Sequence, residues 1–83
     1  MYLKHLTWRE TEQYLQPKQS IIIPIGSHEQ HGPNGMIGTD IICPVRVAED
    51  LSQETDILIG PSIEVGMAQH HLGFAGSITV RPT

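Results

Sequence analysis

Two carboxylates and one imidazole lie close together in a short stretch of this sequence. Glu29 and His31 flank a single residue just after an isoleucine-rich run, and Asp40 follows nine residues after His31. Residues two apart in an extended backbone point to the same side, so Glu29 and His31 should converge. One nitrogen and several oxygens suit zinc, manganese or iron. The competing interpretation is that Glu29 and His31 are ordinary polar groups on a surface loop.

Histidines and a cysteine outside this stretch could also take part in chemistry. His70 and His71 are adjacent in a segment rich in glycine and histidine, and three roles stay open for them: substrate contact, subunit contact or structural tie. His28 is interpreted as a variable loop residue. The single cysteine, Cys43, stands in an apolar run and is expected to be a buried, unreactive thiol.

Local patterns predict the elements that position these residues. Thr7 and Glu10 have the spacing of a capping box, so a helix should run from there to about Leu15 and stop before Pro17. Residues 20–26 should form a strand. Its consecutive β-branched residues predict burial on both faces, as is usual for parallel sheets.

The glycine- and proline-rich residues 27–38 predict a loop. Thr39 should cap a helix that begins at Asp40, or slightly later if Pro44 must lie in the first turn, and that ends near Glu54. Because the loop leaves the carboxyl end of a predicted parallel strand, it lies where open α/β sheets bind ligands.

Two more strands are predicted at residues 56–61 and 77–81, with a loop at 65–75 between them. A strand–helix–strand order indicates a layered α/β fold with a mostly parallel sheet. Two or three strands with one covering helix leave a sheet face and edges bare. We therefore expect residues 1–83 to be part of one larger domain, or to be completed by another chain.

The residues around the candidate metal ligands resemble the motifs of the creatininase family of amidohydrolases. The run Pro24-Ile25-Gly26-Ser27-His28-Glu29-Gln30-His31-Gly32-Pro33, followed by Gly38-Thr39-Asp40, is similar to the family pattern P-x-G-S-x-E-Q-H-G-P-H-L-P and then G-T-D. The segment from Gly66 to Ile78 resembles the family's G-x-S-x-H-H-x-x-F-P-G-T-x. Asn34-Gly35-Met36 departs from the pattern where the family has His-Leu-Pro, which puts substrate identity in doubt.

The resemblance implies a layered α/β/α fold, with this chain as the N-terminal portion of a single creatininase-like domain. It also implies a site for two divalent ions, zinc and/or manganese. Glu29 matches a ligand to one ion, His31 a ligand to the other, and Asp40 the carboxylate that bridges both. His70 and His71 match paired histidines near the active-site mouth, which predicts substrate binding.

The function implied by the resemblance is hydrolysis of a non-peptide C–N bond in a cyclic amide, amidine or formamide by a metal-activated water. The remaining ligands and the acid–base group are expected beyond Thr83, so the 83 residues alone should be inactive. The alternative is a non-catalytic truncated paralogue that binds metal or a partner chain. A third hypothesis is a small α/β fragment with no site.

Composition argues against other classes of protein. The net charge is −4 and the five basic residues are scattered, so nucleic acid is not an expected partner. The longest apolar run, residues 21–25, is far too short to span a membrane, and a signal-peptide pattern is not seen. A single cysteine fits a reducing compartment. We expect a cytoplasmic enzyme with a small-molecule substrate, and the family resemblance implies a homo-oligomer such as a hexamer.

Overall fold

The computed structural model describes residues 1–81. Its regular elements are α1 (Trp8–Leu15), β1 (Ile21–Ile22), α2 (Thr39–Thr55) and β2 (Leu58–Ile59), with 3₁₀ turns at Leu3–His5 and Gln69–His71. Among the residues described, none of the helices is long and apolar enough to cross a membrane.

Helix α1 begins where the capping box predicts. The side-chain oxygen of Thr7 accepts a hydrogen bond from the backbone N–H of Glu10 at 3.2 Å, and Glu10 Oε1 accepts one from the N–H of Thr7 at 2.9 Å. These bonds satisfy two donors that the helix start would otherwise leave unpaired. The hydrogen bond from the Thr7 N–H also holds the pKa of Glu10 below its ordinary value.

The two strands pair in parallel, with Ile21 opposite Leu58 and Ile22 opposite Ile59. Helix α2 is the crossover between them and packs against β2, which confirms the predicted strand–helix–strand unit. Burial differs between the strands. Leu58 and Ile59 are buried, but Ile21 is 43% exposed, so the expected burial of the first strand on both faces is wrong. In the described part of the chain, α2 covers mainly β2.

The predicted third strand at 77–81 is also wrong as a regular strand. Its only ladder contact in the described residues is an isolated bridge between Thr79 and Gly66. The N–H of Val80 donates to the Gly66 carbonyl at 2.9 Å, but the N–H of Ala68 donates to the side-chain oxygen of Thr79 at 2.8 Å. Because a side chain takes this donor, the backbone ladder does not continue.

Helix α2 begins one residue earlier than predicted, with Gly38 as the N-cap and Thr39 inside the helix. Pro44 lies within the helix and not in its first turn. Proline has no N–H, so Pro44 cannot donate to the carbonyl of Asp40 four residues earlier. That carbonyl lies instead against Gly26, where an added Cβ would overlap it. The start of α2 is therefore docked directly on the segment that follows β1.

The buried face of α2 contains Ile41, Ala48 and Ser52. Cys43 is exposed, so its predicted burial is wrong. At about 100° per residue, Cys43 lies roughly 200° around the helix from Ile41 and faces away from the sheet. An apolar run in the sequence did not reveal which of its members faced inward.

A tyrosine that the sequence did not single out ties α1 to both strands. The hydroxyl of Tyr14 donates to the carbonyl of Ser20 at 3.0 Å and accepts from the N–H of Leu58 at 2.9 Å. Ser20 precedes β1 and Leu58 begins β2. One side chain therefore joins the first helix to the amino ends of both strands.

Candidate metal centre

The loop that carries Glu29 and His31 leaves the carboxyl end of β1 and returns at the first turn of α2. The N–H of Glu29 donates to the carbonyl of Ile37 at 3.4 Å, which closes the loop near its base. At Gly35, an added Cβ would overlap the backbone carbonyl of His31. Asp40 is the acidic residue in the first turn of α2, where the helix dipole stabilises a negative charge.

The structure brings together the three residues that the sequence predicts as metal ligands. One ligand atom from each of Glu29, His31 and Asp40 can be chosen so that all three lie within 4.8 Å of one another. Nε2 of His31 lies 3.1 Å from Oδ1 of Asp40. The geometry required for the ligand set is present, and the ligand role itself stays a prediction.

The hydrogen bonds of His31 identify the nitrogen that is available to a cation. Its Nδ1 lies 3.1 Å from the backbone carbonyl of Glu29, and a carbonyl can only accept, so Nδ1 carries the hydrogen. In the neutral ring, Nε2 then directs its lone pair toward the Asp40 carboxylate. A lone pair facing an anion is unfavourable unless a proton or a cation lies between them.

The pKa of His31 is raised, because positive charge on its ring is stabilised by the neighbouring groups. The hydrogen bond to the Glu29 carbonyl raises the pKa above its ordinary value, and the negative charges of Asp40 and Glu29 raise it further, against the opposing effect of desolvation. A proton on Nε2 therefore offsets the negative charge of these two carboxylates.

The paired histidines lie beside the same cluster. Nε2 of His71 lies 3.8 Å from Oε2 of Glu29, and the rings of His70 and His71 are tilted against each other with centroids 4.0 Å apart. His70 is exposed and His71 is half-buried. All five predicted site residues therefore form one contiguous group, and the roles of the two histidines stay predictions.

The contacts that join the two loops were not predicted from the sequence. The N–H of Gln30 donates to the hydroxyl of Ser77 at 3.0 Å, and the side-chain amide of Gln30 contacts His71. His28 is a structural residue here, since its Nδ1 lies 2.8 Å from the backbone carbonyl of Glu64. The sequence showed only that Gln30 and Ser77 lie inside the two motifs, and it did not indicate that they are in contact.

Comparison with known proteins shows which family this chain resembles. A family model described as creatinine amidohydrolase matches residues 4–83. The 3-dehydro-scyllo-inosose hydrolase of Thermotoga maritima is 33% identical over 82 residues, which cover 98% of this chain and 26% of that protein. The mycofactocin precursor peptide peptidase of Mycobacterium tuberculosis is 38% identical over 71 residues, covering 74% of this chain and 28% of that protein. The chain thus spans about a quarter of the length of these relatives.

Solved creatininase structures have the same fold over this region. A manganese form of creatininase superposes with a TM-score of 0.85 at 22% identity, covering 96% of this chain and 34% of that one. A mutant creatininase of the Zn–Zn type gives a TM-score of 0.83 at 24% identity, covering 95% and 33%. These matches confirm the predicted layered α/β fold. The matched motifs, the parallel β1–α2–β2 unit and the family model together show that this chain belongs to the creatininase family.

Proposed function

We propose that this chain supplies the first ligands of a divalent metal site in a metal-dependent amidohydrolase that cleaves a non-peptide C–N bond of a small molecule. One observation carries the proposal: ligand atoms of Glu29, His31 and Asp40 converge within 4.8 Å at the carboxyl end of β1. It is supported by relatives that are named as hydrolases and a peptidase.

The donor set fits two ions of zinc or manganese. Carboxylate oxygens and an imidazole nitrogen suit both metals, and creatininase itself has been solved in manganese and Zn–Zn forms. Glu29, His31 and Asp40, whose ligand atoms converge, would hold these ions. Divalent cations in such a site polarise the scissile group and lower the pKa of water toward neutrality.

Contacts within this chain orient the proposed metal ligands. The Nδ1–H of His31 donates to the Glu29 carbonyl, a contact that orients a ligating imidazole. Asp40 lies in the first turn of α2, near the positive end of the helix dipole. The exposed ring of His70 and its neighbour His71 border the cluster, and we propose that they face the substrate.

The substrate within this class is not given by the relatives, which are named for an inosose, a precursor peptide and creatinine. We propose a cyclic amide, amidine or formamide. A panel of creatinine, a formamide, an amidine and a short peptide separates these classes. Turnover that stops on chelation and returns with Zn²⁺ or Mn²⁺ supports the enzyme, whereas bound metal without any turnover supports the non-catalytic metal-binding module.

The decisive experiment measures metal binding by the full-length protein and four variants. Glu29→Gln and Asp40→Asn should each weaken Zn²⁺ and Mn²⁺ affinity by more than the about 100-fold that outer contacts contribute, because each removes a ligand charge. Glu64→Gln and Asp50→Asn are matched controls, since these carboxylates pair with His28 and Arg46 outside the cluster. If Glu29→Gln kept the metal content and affinity of the unmodified protein, the ligand assignment would be wrong.

We also propose that the protein forms a homo-oligomer. Ile25 and Ile63, which form a parallel bridge, are 64% and 47% exposed, and Ile23 beside them is 47% exposed. Exposed apolar side chains of this kind favour coverage by further polypeptide, either the rest of the domain or another subunit. Light scattering on the full-length protein measures the subunit number, and a monomer at micromolar concentration would contradict this proposal.

A further inference from the structure

The side-chain amide of Gln30 has one orientation that satisfies its neighbours. Its Oε1 accepts a hydrogen bond from the backbone N–H of Gly32 at 2.8 Å, which only the amide oxygen can do. The amide nitrogen therefore points the other way, and it lies 3.0 Å from Nδ1 of His71. A flipped amide would place donor against donor at Gly32.

This orientation determines which nitrogen of His71 carries the hydrogen. The amide nitrogen of Gln30 can only donate, so Nδ1 of His71 accepts, and the neutral ring has its hydrogen on Nε2. That Nε2 lies 3.8 Å from Oε2 of Glu29. The distance is beyond a direct hydrogen bond, but it places an N–H donor beside a carboxylate. The side chains of His71 and Glu29 are only 21% and 17% exposed, so solvent screens their attraction incompletely.

His31 has the opposite arrangement. Its hydrogen is on Nδ1, bound to the Glu29 backbone carbonyl, and its Nε2 is open toward Asp40. A ring nitrogen that carries a hydrogen cannot coordinate a cation. Ligand atoms of Glu29, His70 and His71 also lie within 4.8 Å of one another. With its hydrogen on Nε2, however, the neutral ring of His71 directs no lone pair at Glu29, whereas His31 directs one at Asp40.

We propose that Gln30 sets the tautomer of His71, and that His71 thereby acts as a positioning residue that presents its Nε2–H to the Glu29 carboxylate and is not itself a metal ligand. The inference rests on the proposed metal site and deepens it. A donor beside Oε2 restrains one oxygen of Glu29 and leaves the other for the cation. Outer contacts of this kind contribute about 10- to 100-fold in metal affinity.

The direct test is the ring tautomer of His71 in the metal-free, full-length protein. Long-range ¹H–¹⁵N spectra, recorded at a pH where the neutral rings predominate, should show Nε2–H for His71 and Nδ1–H for His31, with His71 assigned by its loss in His71→Phe. Gln30→Glu replaces the donor with a carboxylate that only accepts, so the hydrogen of His71 should move to Nδ1. Asn34→Asp adds the same charge at an exposed position of the same loop and should change nothing.

An Nδ1–H signal for His71 in the unmodified protein, or an unchanged tautomer in Gln30→Glu, would overturn the proposal. This readout needs no metal, so it stands even if the proposed function fails because neither Zn²⁺ nor Mn²⁺ binds.

A Zn²⁺ titration tests the positioning role separately. His71→Phe keeps a ring of similar size and removes both nitrogens, so the affinity should fall about 10- to 100-fold while some binding remains. Unchanged affinity in His71→Phe would rule out positioning, and a loss as complete as that of Glu29→Gln would show that His71 is a ligand.

Discussion

Nε2 of His31 lies 3.1 Å from Oδ1 of Asp40, although one residue is in a loop and the other in the first turn of a helix. The contact depends on how closely α2 approaches the segment after β1. That approach is set by Gly26, which lies against the Asp40 carbonyl, and by Pro44, which has no N–H to donate to that carbonyl. Backbone packing at one glycine therefore controls the spacing of the candidate ligands.

Gly26→Ala should consequently disturb both the fold and the site. The new methyl group overlaps the backbone of Asp40, so α2 must shift, and we expect a loss of about 1–3 kcal/mol in the free energy of unfolding together with weaker Zn²⁺ binding. Gly73→Ala is the matched control, because an added Cβ there meets nothing within 4 Å. Denaturant unfolding and a Zn²⁺ titration measure the two effects. Equal behaviour of the two variants would contradict the packing argument.

The raised pKa of His31 predicts how metal binding depends on pH. A proton on Nε2 of His31 competes with the cation. The affinity for Zn²⁺ or Mn²⁺ should therefore be highest above the raised pKa and should decline as the pH falls through it. Zn²⁺ or Mn²⁺ titrations at a series of pH values check this. Affinity that stays constant across that range would mean that His31 is not a ligand.

The raised pKa of His31 also predicts that the stability of the metal-free protein depends on pH. The pKa of His31 in the folded protein lies above the ordinary value of 6.5. Its contribution to the free energy of unfolding is therefore fully present below the pKa of the unfolded state and is lost as the pH rises through the pKa of the folded state. Asp40→Asn removes one cause of the shift and should lower the pKa of His31 in an NMR titration. Asp50→Asn, on the same helix, should leave it unchanged, and a shift of equal size in both would exclude a local cause.

The capping box should stabilise α1 measurably. Thr7→Ala removes the oxygen that accepts from the N–H of Glu10, and the expected loss is about 0.5–2 kcal/mol in the free energy of unfolding. Gln13→Ala, at an exposed position of the same helix, serves as the comparison. Denaturant unfolding of both variants decides the matter, and a Thr7→Ala protein as stable as Gln13→Ala would show that the cap is unimportant.

Tyr14→Phe should weaken the junction of α1 with the sheet. Without the hydroxyl, the N–H of Leu58 at the buried start of β2 loses its acceptor, which costs about 1–3 kcal/mol. Amide hydrogen exchange at Leu58 should accelerate in the same variant. Unchanged exchange at that amide would mean that another group accepts the bond.

The local part of this fold could be predicted from sequence because its causes are local. The Thr7–Glu10 cap, the helix after the first loop and the β1–α2–β2 order each follow from spacing within a few residues. Glu29, His31 and Asp40 could be proposed as a group because one short strand-to-helix connection carries all three. The lengths of the strands were less predictable, since pairing depends on partners that lie far away in sequence.

The sequence by itself determined which ligand types are present and on which connection they lie. Only the tertiary structure decided that His71 lies beside Glu29, that Gln30 orients it, and that Cys43 faces outward. The physical reason is range. Capping and turn formation are settled between near neighbours, whereas the facing of a helix and the tautomer of an imidazole depend on atoms that the folded chain brings together from distant positions.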